Sequence, residues 1–229
     1  MNHRQLNTLS GGNFFRACVV LCLFCFNMGN SFAKDDVYFL QSVRNGNMAE
    51  VEKLLSSRFV DMETRDSSGD TALLIAARMN QLEMFDLLLR YGANINVVAR
   101  NKRDILNLSV RISNPELAKR AIKAGINTHT FTPRYQGSAL IFASHKGEVE
   151  IVGALVDAGA PVNRINNLGW TAMLEAVILG DGSRAYVDIV RRLLAAGADR
   201  TIADNDGNTP LDHARNKGHE EISRLLQAQ

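Results

Sequence analysis

The chain has 229 residues, of which 46% are hydrophobic, and its 26 Lys and Arg residues nearly balance its 24 Asp and Glu residues, for a formal charge of +2. This length allows one large domain or two small ones with a substantial core, and the hydrophobic fraction excludes a disordered chain. The single long apolar run excludes a multi-span membrane protein, the three cysteines exclude a disulfide scaffold, and the charge gives no indication of nucleic-acid binding.

Residues 1–33 have the three parts of a cleavable signal peptide. Arg4 and Arg16 form a charged start without acidic residues, ten apolar residues follow at 17–26, and Ser31-Phe32-Ala33 offers small residues at the two positions that a signal peptidase reads. A ten-residue helix is only ~15 Å long, about half of a hydrocarbon core, so an uncleaved anchor or a buried helix is the weaker alternative. The match to a lipoprotein signal is also weak.

Cleavage after residue 33 changes the composition of the mature chain. Two arginines and all three cysteines leave with the signal peptide, so residues 34–229 carry 24 basic and 24 acidic residues and no thiol. A thiol-free chain suits an oxidising compartment, and it excludes thiol catalysis and cysteine-ligated metals. The sequence therefore predicts an exported protein of zero net charge.

From residue 34 onward the chain repeats itself with a period of 33 to 38 residues. Apolar residues recur at helical steps inside each period, and two ladders of marker residues run in step through the chain. The ladders are Thr71, Asp104, Ser138, Thr171 and Thr209, followed by Gly92, Gly125, Gly159 and Gly197. The threonines and the serine are suited to N-capping a short first helix, and the glycines to ending a longer second helix in a left-handed turn.

These units resemble the ankyrin repeat, most closely in the runs 66–73, 92–96 and 204–211. The resemblance covers about residues 37–229 and implies an all-α solenoid of helix-turn-helix units with β-turn fingers, in which the terminal repeats cap the stack. We therefore expect one ankyrin repeat domain over residues 34–229. Its six units are 37–65, 66–98, 99–132, 133–165, 166–203 and 204–229.

Three departures from the family pattern stand out. The histidine of the family's Thr-Pro-Leu-His motif is missing in every unit, as in Thr71-Ala72-Leu73-Leu74. The third unit departs furthest, with Pro115 at the start of its second helix. The fifth unit has five extra residues, which we expect between its helices at Gly180-Asp181-Gly182-Ser183-Arg184.

The sequence holds no recognisable catalytic constellation. It lacks a glycine-rich phosphate loop and the usual hydrolase motifs, and the spacing of His213 and His219 is poor for metal ligands. We therefore expect no enzymatic activity, no cofactor and no metal site.

A row of basic residues is the first candidate for a binding site. One position near the exit of the first helix is basic in successive units, and the resemblance implies that this position faces the concave groove. The row consists of Arg44, Arg78, Arg111 and His145, with Lys146 at its end and Arg134 at a nearby turn. Such a row predicts recognition of an acidic protein segment. The alternative is that these residues are solvated or salt-bridged surface residues.

The fifth unit supplies further candidates. Trp170 lies at its turn tip beside Leu168, where an aromatic residue is typical of a binding hot spot, although packing on Tyr135 of the neighbouring turn would also explain it. Glu175 stands where other units have an apolar residue. A buried carboxylate needs hydrogen-bond partners, so we expect Glu175 to accept hydrogen bonds from the inserted loop, including Asp181 and Gly182, and to hold it in one conformation.

Together these features predict a non-catalytic protein–protein interaction module that binds a partner of unknown identity in its concave groove. Eukaryotic proteins of the ankyrin repeat family, which this chain resembles, are mostly intracellular. The export signal therefore favours a bacterial periplasm, or secretion beyond it. We expect a monomer without nucleic-acid partners and without a membrane span after cleavage. Two alternatives remain open: a neutraliser, immunity or stress-protective protein against an envelope-targeting toxin or enzyme, and a binder of polyanions or small anions.

Overall fold

The computed structural model describes residues 35–57, 60–100, 102–132 and 135–228. The predicted signal peptide and Arg134 lie outside these residues. The described residues form twelve helices in six pairs and no extended strand, apart from one antiparallel bridge between Phe131 and Ser138. The pairs are 35–44 (α1) with Met48–Ser57 (α2), Ala72–Arg78 (α3) with Leu82–Arg90 (α4), Ile105–Arg111 (α5) with Pro115–Lys123 (α6), Ala139–Lys146 (α7) with Val149–Asp157 (α8), Ala172–Leu179 (α9) with Arg184–Ala195 (α10), and Pro210–Asn216 (α11) with Glu220–Gln227 (α12). This architecture confirms the predicted all-α repeat fold.

Polar caps explain where the short first helices begin. In each unit from the second to the sixth, a side-chain oxygen accepts the backbone N–H three residues further on, over 2.8–3.5 Å. The capping residues are Thr71, Asp104, Ser138, Thr171 and Thr209, each in extended backbone. The expected threonine and serine caps are therefore confirmed, and Asp104 provides the same bond in the third unit.

Left-handed glycines separate the second helices from the following fingers. Gly92, Gly125, Gly159 and Gly197 have φ values between +75° and +93°. Glycine reaches this region without the steric cost that a Cβ imposes, so each long helix stops at the predicted place.

The third unit keeps the common turn despite its unusual sequence. The N–H of Ala99 donates to the carbonyl of Arg103 over 2.9 Å, as the N–H of Asp66 does to Asp70 over 3.0 Å in the second unit. Lys102 takes the positive φ, 62°, that a glycine holds in other units. Pro115 begins α6, where its missing N–H costs no helical bond.

One continuous core runs through the stack from Phe39 in α1 to Leu226 in α12. The first helices of the internal units are largely buried: in α3 every residue except Arg78 is buried. In the sixth unit only Pro210 and Ala214 of α11 are buried, because no other pair of helices among the described residues packs on its outer side. A polar outer face on a terminal repeat keeps a solenoid soluble, as expected for a cap.

The extra residues of the fifth unit are not all in the loop, so that prediction was partly wrong. Helix α10 has 12 residues, whereas α8 has nine, and the connecting segment is 180–183 instead of 147–148. Three of the five added residues, 184–186, therefore form an additional first turn of α10. The loop keeps only two of them.

Candidate functional site

A cavity of about 290 Å³ opens between the fingers and first helices of the third to fifth units. We call it the aromatic cavity. Its lining includes three aromatic residues, one leucine and a histidine–carboxylate pair, namely Tyr135, Phe142, Trp170, Leu168, His145 and Glu175. The structure thus brings together five residues that the sequence singled out for separate reasons.

The rim of the aromatic cavity is formed by two neighbouring fingers. Tyr135 is 50% exposed and Leu168 is 46% exposed, whereas Trp170 is half-buried. A backbone hydrogen bond of 3.0 Å from the N–H of Asn167 to the carbonyl of Tyr135 holds the fingers together. The rim therefore presents large side chains on a braced backbone.

Glu175 lies at the floor of the aromatic cavity with its side chain 8% exposed. Its Oε1 accepts a 2.9 Å hydrogen bond from the amide of Asn166, and its Oε2 lies 3.1 Å from Nδ1 of His145. Burial raises the pKa of Glu175, although the bonds from His145 and Asn166 act in the opposite direction. The prediction that Glu175 accepts bonds from the inserted loop is therefore wrong.

The inserted loop packs on the sixth unit instead. A Cβ at Gly182 would lie 2.7 Å from Nδ1 of His219. Hydrogen bonds from Ser183 hold the pKa of Asp181 below its ordinary value, including one of 2.9 Å from the backbone N–H. Asp181 and Gly182 thus belong to a loop whose contacts run towards the C-terminus, away from Glu175.

Asn166 is a site residue that the sequence did not indicate. It is 7% exposed, and its Oδ1 accepts hydrogen bonds from the N–H groups of Leu168 and Trp170, over 2.9 and 3.0 Å. Asp66 makes the same turn bonds in the second unit. Comparing these turn positions would have predicted the turn, but the bond to Glu175 depends on the fold.

Tyr186 was also missed, because it lies in the added turn of α10. Its hydroxyl donates a 3.0 Å hydrogen bond to the backbone carbonyl of His145, and its ring lies against Gly147 and Gly180. Burial raises the pKa of Tyr186 above its ordinary value. Tyr186 therefore fixes the end of α7, which carries the His145 side chain.

The basic row divides into paired and unpaired members. Nη2 of Arg44 lies 2.5 Å from Asp66, and Nη2 of Arg78 lies 2.7 Å from the buried Asp70. Arg44 and Arg78 line a second cavity, of about 530 Å³, together with these aspartates. The salt-bridged alternative therefore describes this end of the row.

The other members lie nearer the aromatic cavity. Arg111 and Lys146 are exposed at the ends of α5 and α7, and the side chain of neither makes a hydrogen bond or ion pair with another described residue. His145 lines the aromatic cavity itself, with its side chain 48% exposed. Arg111 and Lys146 are therefore the part of the row that is open to a partner, whereas His145 is paired with Glu175.

His145 and Glu175 form a histidine–carboxylate pair of the kind found in catalytic triads. A histidine oriented by a carboxylate is the base of many nucleophilic enzymes, but such a base needs a nucleophile in reach. The nearby hydroxyl of Ser138 is almost fully buried and caps α7. Among the described residues, no group of three or more His, Cys, Asp or Glu side chains is placed to hold a metal ion.

Comparison with known proteins decides the family. The family model for ankyrin repeats in three copies matches residues 19–99 and 106–199, beginning inside the apolar run of the predicted signal peptide. The chain belongs to the ankyrin repeat family. Ankyrin repeat domains are protein–protein interaction modules, and the fold is typically non-catalytic. No helix in the described part of this ankyrin repeat protein is long and apolar enough to cross a bilayer.

Individual relatives agree with this assignment. The ankyrin repeat protein YahD of Escherichia coli (strain K12) is 33% identical over 82% of this chain and 93% of its own length. The crystal structure of an ankyrin repeat domain (ABAYE2397) from Acinetobacter baumannii AYE is 37% identical, with a TM-score of 0.78 over 82% of this chain and 95% of that one. Other curated relatives are matched over less than half of their length.

A more distant structure shares the fold. It is that of the predatory endopeptidase Bd0816 from Bdellovibrio bacteriovorus in complex with the immunity protein Bd3460. A chain in it is 23% identical, with a TM-score of 0.67 over 82% of this chain and 95% of that one. This likeness concerns the architecture alone.

Proposed function

We propose that this ankyrin repeat protein is a non-catalytic binding module that receives a segment of a partner protein in its concave groove, at the aromatic cavity. The observation that carries the proposal is the rim formed by Tyr135, Leu168 and Trp170. Exposed large side chains around a cavity are typical of the centre of a protein interface, where aromatic anchors supply most of the binding energy.

The rigidity of this rim supports the same proposal. The finger that carries Leu168 and Trp170 is fixed by Asn166, and the helices beneath it, α7 and α9, are largely buried. A groove that is already ordered loses little conformational entropy when a partner binds. Affinity can therefore come from a few anchors.

Acidic residues of the partner would meet the open part of the basic row. Arg111 and Lys146 supply this charge, whereas Arg44 and Arg78 are held by aspartates and His145 contacts Glu175. A partner with acidic groups beside an anchoring side chain fits this distribution. Because exposed charges are screened, we expect the row to affect association rate and salt dependence more than affinity.

The test is capture of the partner by tagged protein, followed by quantitative mass spectrometry. Trp170→Ala and Leu168→Ala should lose the partner. Ile165→Ala is a matched control, because Ile165 is 47% exposed and lies three residues before Leu168, but does not line the aromatic cavity. Equal capture by all variants would contradict the proposal.

We also propose that residues 1–33 direct export to the periplasm. This proposal rests on the charged start, the short apolar run and the small residues at 31 and 33. Cell fractionation with N-terminal sequencing of the purified protein should find Lys34 as the first residue, in the periplasmic fraction. Uncleaved protein that begins at Met1 and is found in the cytoplasmic fraction would contradict this proposal.

A narrower role is neutralisation of an envelope-targeting toxin or enzyme. The complex of an endopeptidase with its immunity protein raises this candidate, although 23% identity relates only the folds. If this role applies, the captured partner is a hydrolase or toxin, and the purified protein inhibits it in a manner that depends on Trp170. A captured partner whose activity is unaffected would eliminate the candidate.

Binding of polyanions or small anions has weaker support, because aspartates neutralise two arginines of the row. This alternative predicts binding to a soluble polyanion such as heparin that weakens steeply with salt and requires Arg111. No such binding at low salt would eliminate it.

A further inference from the structure

The floor of the aromatic cavity holds a negative charge that the protein compensates only in part. An ionised carboxylate has about four acceptor positions. In Glu175, one oxygen accepts from Asn166 over 2.9 Å and the other lies 3.1 Å from His145. Burial nevertheless raises the pKa of Glu175, which means that these two bonds do not replace the lost hydration. These two bonds use two of its acceptor positions, so Glu175 retains acceptor capacity at the cavity that it lines.

The walls suit a positively charged side chain with an apolar stem. The rings of Phe142, Trp170 and Tyr135 line the cavity together with Leu168. Aromatic faces attract ammonium and guanidinium groups, and the methylene stems of lysine and arginine pack against apolar surface while the charged head reaches a polar partner. A volume of about 290 Å³ has room for a side chain rather than a helix.

Other occupants fit the floor less well. An apolar side chain would exclude water from Glu175 without offering a hydrogen bond, which is costly for a buried charge. An acidic side chain would be repelled by Glu175. Arg103 also lines the cavity, but it is exposed, so solvent screens its charge more than that of the buried Glu175.

Building on the proposed function, we propose that the aromatic cavity receives a lysine or arginine side chain of the partner protein, with its charged head on Glu175 and its stem against the aromatic rings. Trp170 and Tyr135 then act as the walls of a basic-residue pocket. The acidic groups of the same partner segment would lie outside it, towards Arg111.

The experiment is selection of a random peptide library against the purified full protein, followed by affinity measurements. Selected peptides should share one lysine or arginine, and replacing it with methionine should weaken binding at least about tenfold. Glu175→Gln should weaken binding of the basic peptide by a similar factor and leave the methionine peptide unaffected. Far-UV circular dichroism and urea unfolding of Glu175→Gln verify that the fold is kept.

Arg103→Gln is a control that should change the affinity for the basic peptide in the opposite direction. Removing this positive charge from the rim should strengthen binding of the basic peptide a few-fold, whereas it would weaken binding of an acidic one. Peptides that require Trp170 but are insensitive to Glu175, or that lack a basic residue, would overturn the basic-residue pocket alone. A library that yields no peptide dependent on Trp170 would count against the proposed function as well.

Discussion

Replacing Asn166 with aspartate tests the polar pair beneath the aromatic cavity. The aspartate can still accept hydrogen bonds from the N–H groups of Leu168 and Trp170, as Asp66 does in the equivalent turn. It cannot donate to Glu175, however, and it places a second carboxylate where the amide now lies 2.9 Å from Oε1. We expect Asn166→Asp to reduce the free energy of unfolding strongly at neutral pH and little in mild acid.

The magnitude is limited by proton uptake. Two unit charges about 3 Å apart repel by about 5–6 kcal/mol at an effective dielectric constant of about 20. Keeping one carboxyl group protonated at about pH 7 instead costs about 3–4 kcal/mol when its ordinary pKa is 4.5. Because burial already raises the pKa of Glu175, the proton binds more readily there. We therefore expect a loss of about 2–4 kcal/mol at neutral pH.

The sign of the pH dependence follows from proton counting. Burial already raises the pKa of Glu175, and repulsion from a second carboxylate raises it further, so the folded variant binds more protons than the unfolded chain. The stability of the variant is therefore retained below the ordinary carboxyl pKa and decreases as the pH rises above it. The wild-type protein should show a smaller decrease of the same sign from Glu175 alone.

Urea unfolding followed by far-UV circular dichroism, at about pH 4 and about pH 7, measures these differences. Adding Glu175→Gln to the variant restores a donor, because the glutamine amide can donate to the new carboxylate at position 166. The double variant should regain most of the lost stability at neutral pH, as a double-mutant cycle would report. An equal loss at both pH values, or no recovery in the double variant, would refute the reasoning.

Three further predictions concern the surrounding structure. Gly180→Ala should destabilise the protein by more than about 2 kcal/mol in thermal unfolding, because the new Cβ would clash with the backbone carbonyl of Ala176. Gly159→Ala is the control: its Cβ would have no neighbour within 4 Å, so only the positive φ of this position should destabilise the protein, by about 1 kcal/mol. Tyr186→Phe should lose about 1 kcal/mol and shift the NMR signals of His145; unchanged signals would argue against the contact. Arg78→Met leaves the buried Asp70 without its ion pair, so urea unfolding should show a loss of about 1–2 kcal/mol in the free energy of unfolding, a value already reduced for the exposure of the arginine. High salt should reproduce only part of this loss in the wild-type protein.

Local signals in the sequence predicted most of the fold. A capping hydroxyl such as Thr171 and a glycine such as Gly197 act on the backbone within a few residues, so their positions mark the helix ends without knowledge of the tertiary structure. The repeat period then places equivalent residues side by side. For this reason His145, Trp170 and Tyr135 could be selected before their common cavity was known.

Contacts between repeats were harder to predict. The apolar counterparts of Glu175 in other units already marked it as unusual. Its two hydrogen-bond partners, however, lie 30 residues away (His145) and nine residues away (Asn166), and the stacking of the repeats brings them together. The sequence likewise marked the insertion without showing that residues 184–186 continue α10. In the structure Tyr186 of this added turn packs against Gly147 and Gly180, a contact that depends on the stacking of the repeats.

The added turn of α10 has a consequence for cooperativity. In a solenoid, each repeat is stabilised by its own contacts and by the interface with its neighbours. Tyr186 belongs to the fifth repeat but contacts Gly147 and His145 of the fourth, which strengthens that one interface relative to the others. Hydrogen exchange should then find the fourth and fifth repeats opening as one unit, with the terminal repeats fraying first. The insertion would thus make the part of the stack that holds the cavity the last to unfold.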